Sequence, residues 1–222
     1  AAFSGSGGSR QMNQPRHDPS RHDPPRHDPL GHLALAAKRN DNTDSAGVTM
    51  RALPYRPSLI LRGESDDTAF LEGCRKALGI DVPLAPGHVA GGDDFTALWL
   101  GPSEWLILGR NGRDRLAENL AGCHHALIDN GDGQQVIALS GARAGAVLSK
   151  LCPLDLGGPE MDPGRCARSV LAGIGVTIWR GDTGAFQMHV GRSFADYAWR
   201  IIADAGLEYG IVAILEDAGS DR

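Results

Sequence analysis

The side chains in this sequence that could do chemistry are eight histidines, four cysteines and a scatter of serines and carboxylates, and their spacing decides what they can do. His17, His22 and His27 recur in Arg-His-Asp-Pro units, and His32 follows. Such a set could gather a metal ion only loosely, because zinc sites need preorganised ligands with outer-shell support. His124 and His125 precede a strand pattern, so their side chains point to opposite faces and cannot chelate one ion together. His88 and His189 stand alone, and an isolated imidazole is expected to be a satisfied or exposed side chain rather than a catalyst. Cys74, Cys123, Cys152 and Cys166 lack C-x-x-C spacing and read as small buried hydrophobes, with a disulfide left open.

The nucleophile candidates fare no better. Neither Ser140 nor Ser193 lies in a G-x-S-x-G elbow, and both stand where helix caps belong. Gly131-Asp132-Gly133 falls between two strands, where a hairpin turn is the natural use, and neither a phosphate loop nor the dinucleotide spacing occurs. Glu104, between a turn and Trp105, is expected to pair with Arg110 or to cap a backbone group in a structural role. Asp129 and Asp155 follow apolar runs and could face a cleft, although Asx turns are the expected use. Arg165, Arg168, Arg180 and Arg192 concentrate basic charge that would suit an acidic partner surface, with solvated arginine as the default. The predicted set of catalytic, cofactor-binding and metal-binding residues is therefore empty.

The elements that would position these residues form a repeating pattern. Thr96–Gly109 holds two apolar runs around a Gly-Pro-Ser turn, a hairpin signature, and Val176–Gly191 echoes it, each with a Trp two residues before a turn glycine. From Pro57 the order reads strand (58–62), helix capped by Ser65 or Asp66 and ended by Gly79, a Pro- and Gly-rich loop at 81–95, the hairpin, a helix over 113–121 and a strand over 125–129. A second pass gives a strand over 135–139, a helix capped by Ser140 and stopped at Cys152-Pro153, a loop, a strand or pair of strands over 168–180, a strand over 185–190, a helix capped by Ser193 and a last strand over 210–214. Each half spells β-α-β-β-α-β. The fold class is thus α+β, a duplicated ferredoxin-like sandwich, with strand exchange between halves left open. The predicted domains are a disordered tail over 1–50, halves over 51–132 and 133–216, and a short tail over 217–222.

The tail prediction rests on composition. Proline and charge in the RHDP units leave nothing to bury against the entropy of ordering. Phe3–Ser9 reads as a linker, residues before Met12 as a remnant or processed tail, and Met50 as an alternative start for the folded part. A net charge of −5 over 222 residues gives no broad basic field, so nucleic acid is an unsuited partner, and no apolar run is long enough to span a bilayer. The cysteine usage suits a reducing cytoplasm.

Several blocks carry a family resemblance. Leu98–Leu106 (LWLGPSEWL), Leu139–Arg143 (LSGAR), Cys152–Leu156 (CPLDL), Pro163–Ala167 (PGRCA) and Arg192–Tyr197 (RSFADY) together resemble the γ subunit of heterotetrameric sarcosine oxidase, over about residues 57–207. More weakly, Ile128–Asp129 through Val136, Ser140-Gly141 and Leu148 are similar to the folate-binding fold of the glycine-cleavage T-protein. The resemblance implies a subunit of an αβγδ complex that oxidises the N-methyl group of sarcosine to give glycine, and partners that are the α, β and δ chains. It implies no cofactor on this chain, with FAD, FMN, NAD, zinc and tetrahydrofolate belonging to the partner subunits, and no family site residue to carry over. The alternatives are a stand-alone folate-binding or aminomethyltransferase-like protein using Asp129 or Asp155, and the same subunit of a dimethylglycine-type oxidase.

Overall fold

The structure is a computed structural model that describes residues 29–33 and 47–215. Apart from Pro29, the RHDP units lie outside the described residues, as does the C-terminal tail. In chain order the elements are β1 (Val48–Leu53), β2 (Ser58–Gly63), α1 (Thr68–Leu78), β3 (Val89–Gly91), β4 (Thr96–Gly101), β5 (Glu104–Leu108), α2 (Gly112–Asn119) and β6 (His125–Asp129). They continue with β7 (Gln134–Ser140), α3 (Ala144–Ser149), β8 (Arg165–Leu171), β9 (Ile174–Arg180), β10 (Phe186–Gly191), α4 (Ala195–Gly206) and β11 (Ile211–Leu215).

Two sheets result. One has the order β3-β4-β5-β2-β6; without the short edge strand β3 it is the 2-3-1-4 order of a ferredoxin-like unit. The other has the order β11-β1-β7-β10-β9-β8. Here β1 is wedged between the strands that a simple second copy would pair, running parallel to β11 and antiparallel to β7. The strand exchange left open by sequence therefore takes this form: a strand preceding the first half completes the sheet of the second. Alternation drives it, because Val48, Met50 and Ala52 all point into the core of that sheet.

The same period of two stacks the molecule in four layers. Leu59, Leu61, Trp105 and Ile107 face α1 and α2, packing on Phe70, Cys74, Leu116 and Leu120. Ile137, Leu139, Ile178 and Met188 face α3 and α4, where Val147, Leu148, Ala198 and Ile202 close the core. Residues of opposite parity, Leu98, Leu100, Leu106 and Leu108, meet Cys166 and Trp179 from the other sheet. The two sheets thus pack inner face to inner face, with helices outside.

Several local expectations change. Asp67, not Ser65 or Asp66, caps α1 by accepting from the N–H groups of Ala69 and Phe70. Ser140 ends β7, and Arg143 precedes α3 without a side-chain cap; Ser193 lies in a 3₁₀ turn, Arg192–Phe194, ahead of α4. Gly79 does end α1 in the left-handed region, at φ 72°. Over 165–180 two strands form, joined at Ala172 and Gly173 with φ of 46° and 91°, the paired positive angles of a tight hairpin. Gly131–Gly133 does not close a hairpin, since β6 and β7 belong to different sheets. Pro29–Leu33, expected within the tail, contributes a fully buried Leu30 to the second-half core and a turn whose His32 Nε2 lies 2.9 Å from Asp196 Oδ1.

Candidate functional site

The residues singled out in sequence are dispersed rather than convergent. Asp129 Oδ1 accepts from Gly131 N at 3.1 Å, and Asp155 Oδ1 accepts from Gly157 N at 3.1 Å. Both are exposed Asx turns, the use expected from sequence. His124 and His88 are exposed, and His125 Nδ1 contacts Cys123 O at 3.0 Å. All four cysteines are free thiols. Burial pushes Cys74 up to about 12, with Cys123 nearby adding to the shift, and burial pushes Cys166 up to about 11. Neither thiol is primed for attack at neutral pH. Among the described residues, no serine hydroxyl or cysteine thiol has an imidazole or carboxylate as a hydrogen-bond partner.

What the geometry does build is a seam between the two sheets. Glu104 on β5 pairs with Arg62 on β2 at 2.7 Å and with Arg168 on β8 of the other sheet. Its carboxylate, with side-chain exposure of 16%, is a two-armed tie across the molecule, and Arg110 is not its partner. The structural role expected of Glu104 is thus filled by different arginines. Further along the seam, Cys166 N donates to Gly87 O at 2.8 Å, and Cys166 Sγ reaches Trp99 O at 3.3 Å. Arg165 pairs with Glu160, and Arg180 donates to Met161 O while lying over the Phe186 ring. The basic cluster is largely consumed inside the chain.

At its other end the seam is made by the two crossovers, residues 54–57 and 130–133. The Tyr55 ring covers Gly131, where a Cβ would stand 2.7 Å from the Tyr55 hydroxyl. Beneath it, a cavity of about 20 Å³ is lined by Tyr55, Arg56, Gln134 and His189 among others. That is room for one water. His189 is 4% exposed, and neither its Nε2 nor Gln134 Oε1 has a protein partner. Burial, reinforced by the Arg56 charge, lowers the imidazole to about 4, so it is neutral at physiological pH. His189 gave no sequence signal beyond isolation; only the β10 register, which sets it opposite Thr177 and Val136 on the inner face, puts it here.

Two ferredoxin-like halves stacked through their sheets define the class of the aminomethyltransferase folate-binding fold. Aminomethyltransferase T of the glycine cleavage system from Bartonella henselae superposes with a TM-score of 0.56 at 16% identity, over 84% of this chain and 51% of that one, a likeness of fold. Within that class the chain belongs to the sarcosine oxidase, gamma subunit family, which it matches over residues 62–208. The sarcosine oxidase subunit gamma of Corynebacterium sp. (strain U-96) is 30% identical over 188 residues, 82% of this chain and 91% of the relative. That of an Arthrobacter sp. is 34% identical over 137 residues, 60% of this chain and 68% of the relative. A chain of the heterotetrameric sarcosine oxidase from Corynebacterium sp. U-96, solved in complex with pyrrole 2-carboxylate, superposes with a TM-score of 0.76 at 30% identity, over 83% of this chain and 96% of that one.

Proposed function

We propose that this chain is the γ subunit of a heterotetrameric, flavin-dependent sarcosine oxidase, and that it acts as a structural subunit while the chemistry resides on its α, β and δ partners. The observation that carries this reading is coverage. The likeness to the Corynebacterium chain extends over 96% of that chain at a TM-score of 0.76, so the resemblance is to a whole subunit and not to one shared module. In this reading FAD, FMN, NAD, zinc and tetrahydrofolate sit on the partners, and the complex oxidises the N-methyl group of sarcosine. The spent state of the local chemistry supports it: Glu104 is used in an inter-sheet tie, Asp129 and Asp155 in turns, and Cys74 and Cys166 as core. We place the complex in the cytoplasm, in keeping with four free thiols.

The test is sarcosine-dependent peroxide formation by the co-expressed partners with and without this chain, and by this chain alone. Activity of the assembled complex, its loss or instability when the chain is omitted, and none from the chain alone are expected. Turnover by the purified chain would overturn the structural role.

A further inference from the structure

Beside the tie and the core, one charged cluster, which includes the carboxylates Asp93 and Asp94, is only partly paired among the described residues. A crevice of about 430 Å³ opens along the 54–57 crossover, walled by Arg56, Asp94, Arg110, Asn111 and Arg115 among others. Arg115 is engaged, 3.8 Å from Asp94 and over the Phe95 ring. Among the described residues, Arg56 makes a long contact to Thr96 Oγ1 at 3.5 Å and no ion pair, and Arg110 forms no ion pair with any described carboxylate. The Arg56 guanidinium is partly desolvated, enough for burial to lower it from the ordinary arginine value. Arg56 and Arg110 are both exposed, and an anion in the crevice would give their guanidinium groups the charge-assisted partner that no described carboxylate supplies.

One further feature aims at the same place. Asn111 precedes α2 in a left-handed conformation, φ 59°, and makes no side-chain cap, so the first N–H groups of that helix are left to other acceptors at the crevice wall. The crevice also adjoins the smaller cavity lined by His189, with which it shares Tyr55 and Arg56. Guanidinium groups beside the N-terminus of a helix select an oxyanion.

We propose that this crevice is an oxyanion site, in which a carboxylate or phosphate is held by Arg56 and Arg110 at the N-terminus of α2. The oxyanion has two possible sources, a free small-molecule acid or an acidic side chain of an assembly partner, and the experiment separates them. The site goes beyond the subunit reading and is tested first without it, on the free chain.

Inorganic phosphate and succinate serve as probes in equilibrium titrations of the full chain, with Arg110→Gln, Arg56→Gln and, as a charge-matched control on α1, Arg75→Gln. Saturable binding by the unaltered chain and by Arg75→Gln is expected, weakened about tenfold or more in Arg110→Gln, the loss of one charge-assisted contact. Arg110 is exposed, so its variant should fold; an unchanged melting temperature without probe verifies this. Binding that persists in the assembled complex assigns the site to a free acid. Binding present in the free chain and lost on assembly assigns it to a partner's carboxylate, and Arg110→Glu should then weaken assembly. No saturable binding to the free chain, or equal weakening by Arg75→Gln, would overturn the site.

Discussion

At the scale of single residues, glycine and histidine carry the sharpest consequences. Leu61-Arg62-Gly63 and Leu139-Ser140-Gly141 look like two copies of one strand end, yet the glycines are needed for different reasons. A Cβ at Gly63 would lie 2.2 Å from the Phe70 ring, whereas Gly141 combines φ 105° with a Cβ position 2.6 Å from Gly47 O. Gly63→Ala is expected to cost about 3 kcal/mol in urea denaturation, because Phe70 is fully buried and cannot swing away. For His189 the sign follows from its lowered pKa. Its unfolded state takes a proton below about pH 6.5, while the folded state resists until about 4, so this contribution to stability is intact above pH 6.5 and is lost as pH falls toward 4. Denaturation at pH 4.5 and 7 should show a steeper loss for the unaltered chain than for His189→Gln, by about 2 kcal/mol. Equal slopes would mean that the imidazole is solvated in the folded state. Sequence offered no route to this, because an isolated histidine reveals neither its face nor its neighbours.

Among the elements, those with long periodic patterns were legible and those defined by tertiary pairing were not. The α1 stripe Phe70, Cys74 and Leu78, the hairpin at Trp99 and its echo at Trp179 were all readable from local pattern, and they form. The strand β1 was not read, since a six-residue run next to a polar tail has no helix or hairpin partner in sequence to announce it. Helix caps failed for a related reason: Ser140 and Ser193 have the right chemistry, but extended pairing and a 3₁₀ turn claim them first. The structure also changes the reading of Met50 as a start, because Met50 is fully buried and pairs with Leu139 and Ala213 on its two sides. A chain beginning at Met50 would lose Val48 and Thr49 from the pairing with β11 and Thr49 from that with β7. Met50→Ala should destabilise the chain by about 3 kcal/mol, and the chain shortened to Met50 should melt well below the full one in a thermal scan. Equal melting temperatures would mean that β1 adds nothing to its sheet.

For the molecule as a whole, the packing of the halves explains why sequence yielded a fold and a family but no site. Duplication places two similar inner faces against each other, and two of the residues that look reactive, Glu104 and Cys166, are spent in joining them. Glu104 is the test of that tie: Glu104→Gln removes the charge shared by Arg62 and Arg168 and should lower stability by about 1 kcal/mol, an effect that shrinks in high salt. A loss insensitive to salt would point to packing instead. The crevice at the opposite end of the seam was invisible because Arg56 and Arg110 come from separate stretches that only the fold brings to one wall.

The central claim is membership of a larger assembly, and native mass determination of this chain after mild affinity capture from its own cell, with an absorption spectrum of the eluate, tests it most directly. Three companion chains in equal ratio and yellow flavin absorbance are expected. A colourless monomer under those conditions would contradict the account.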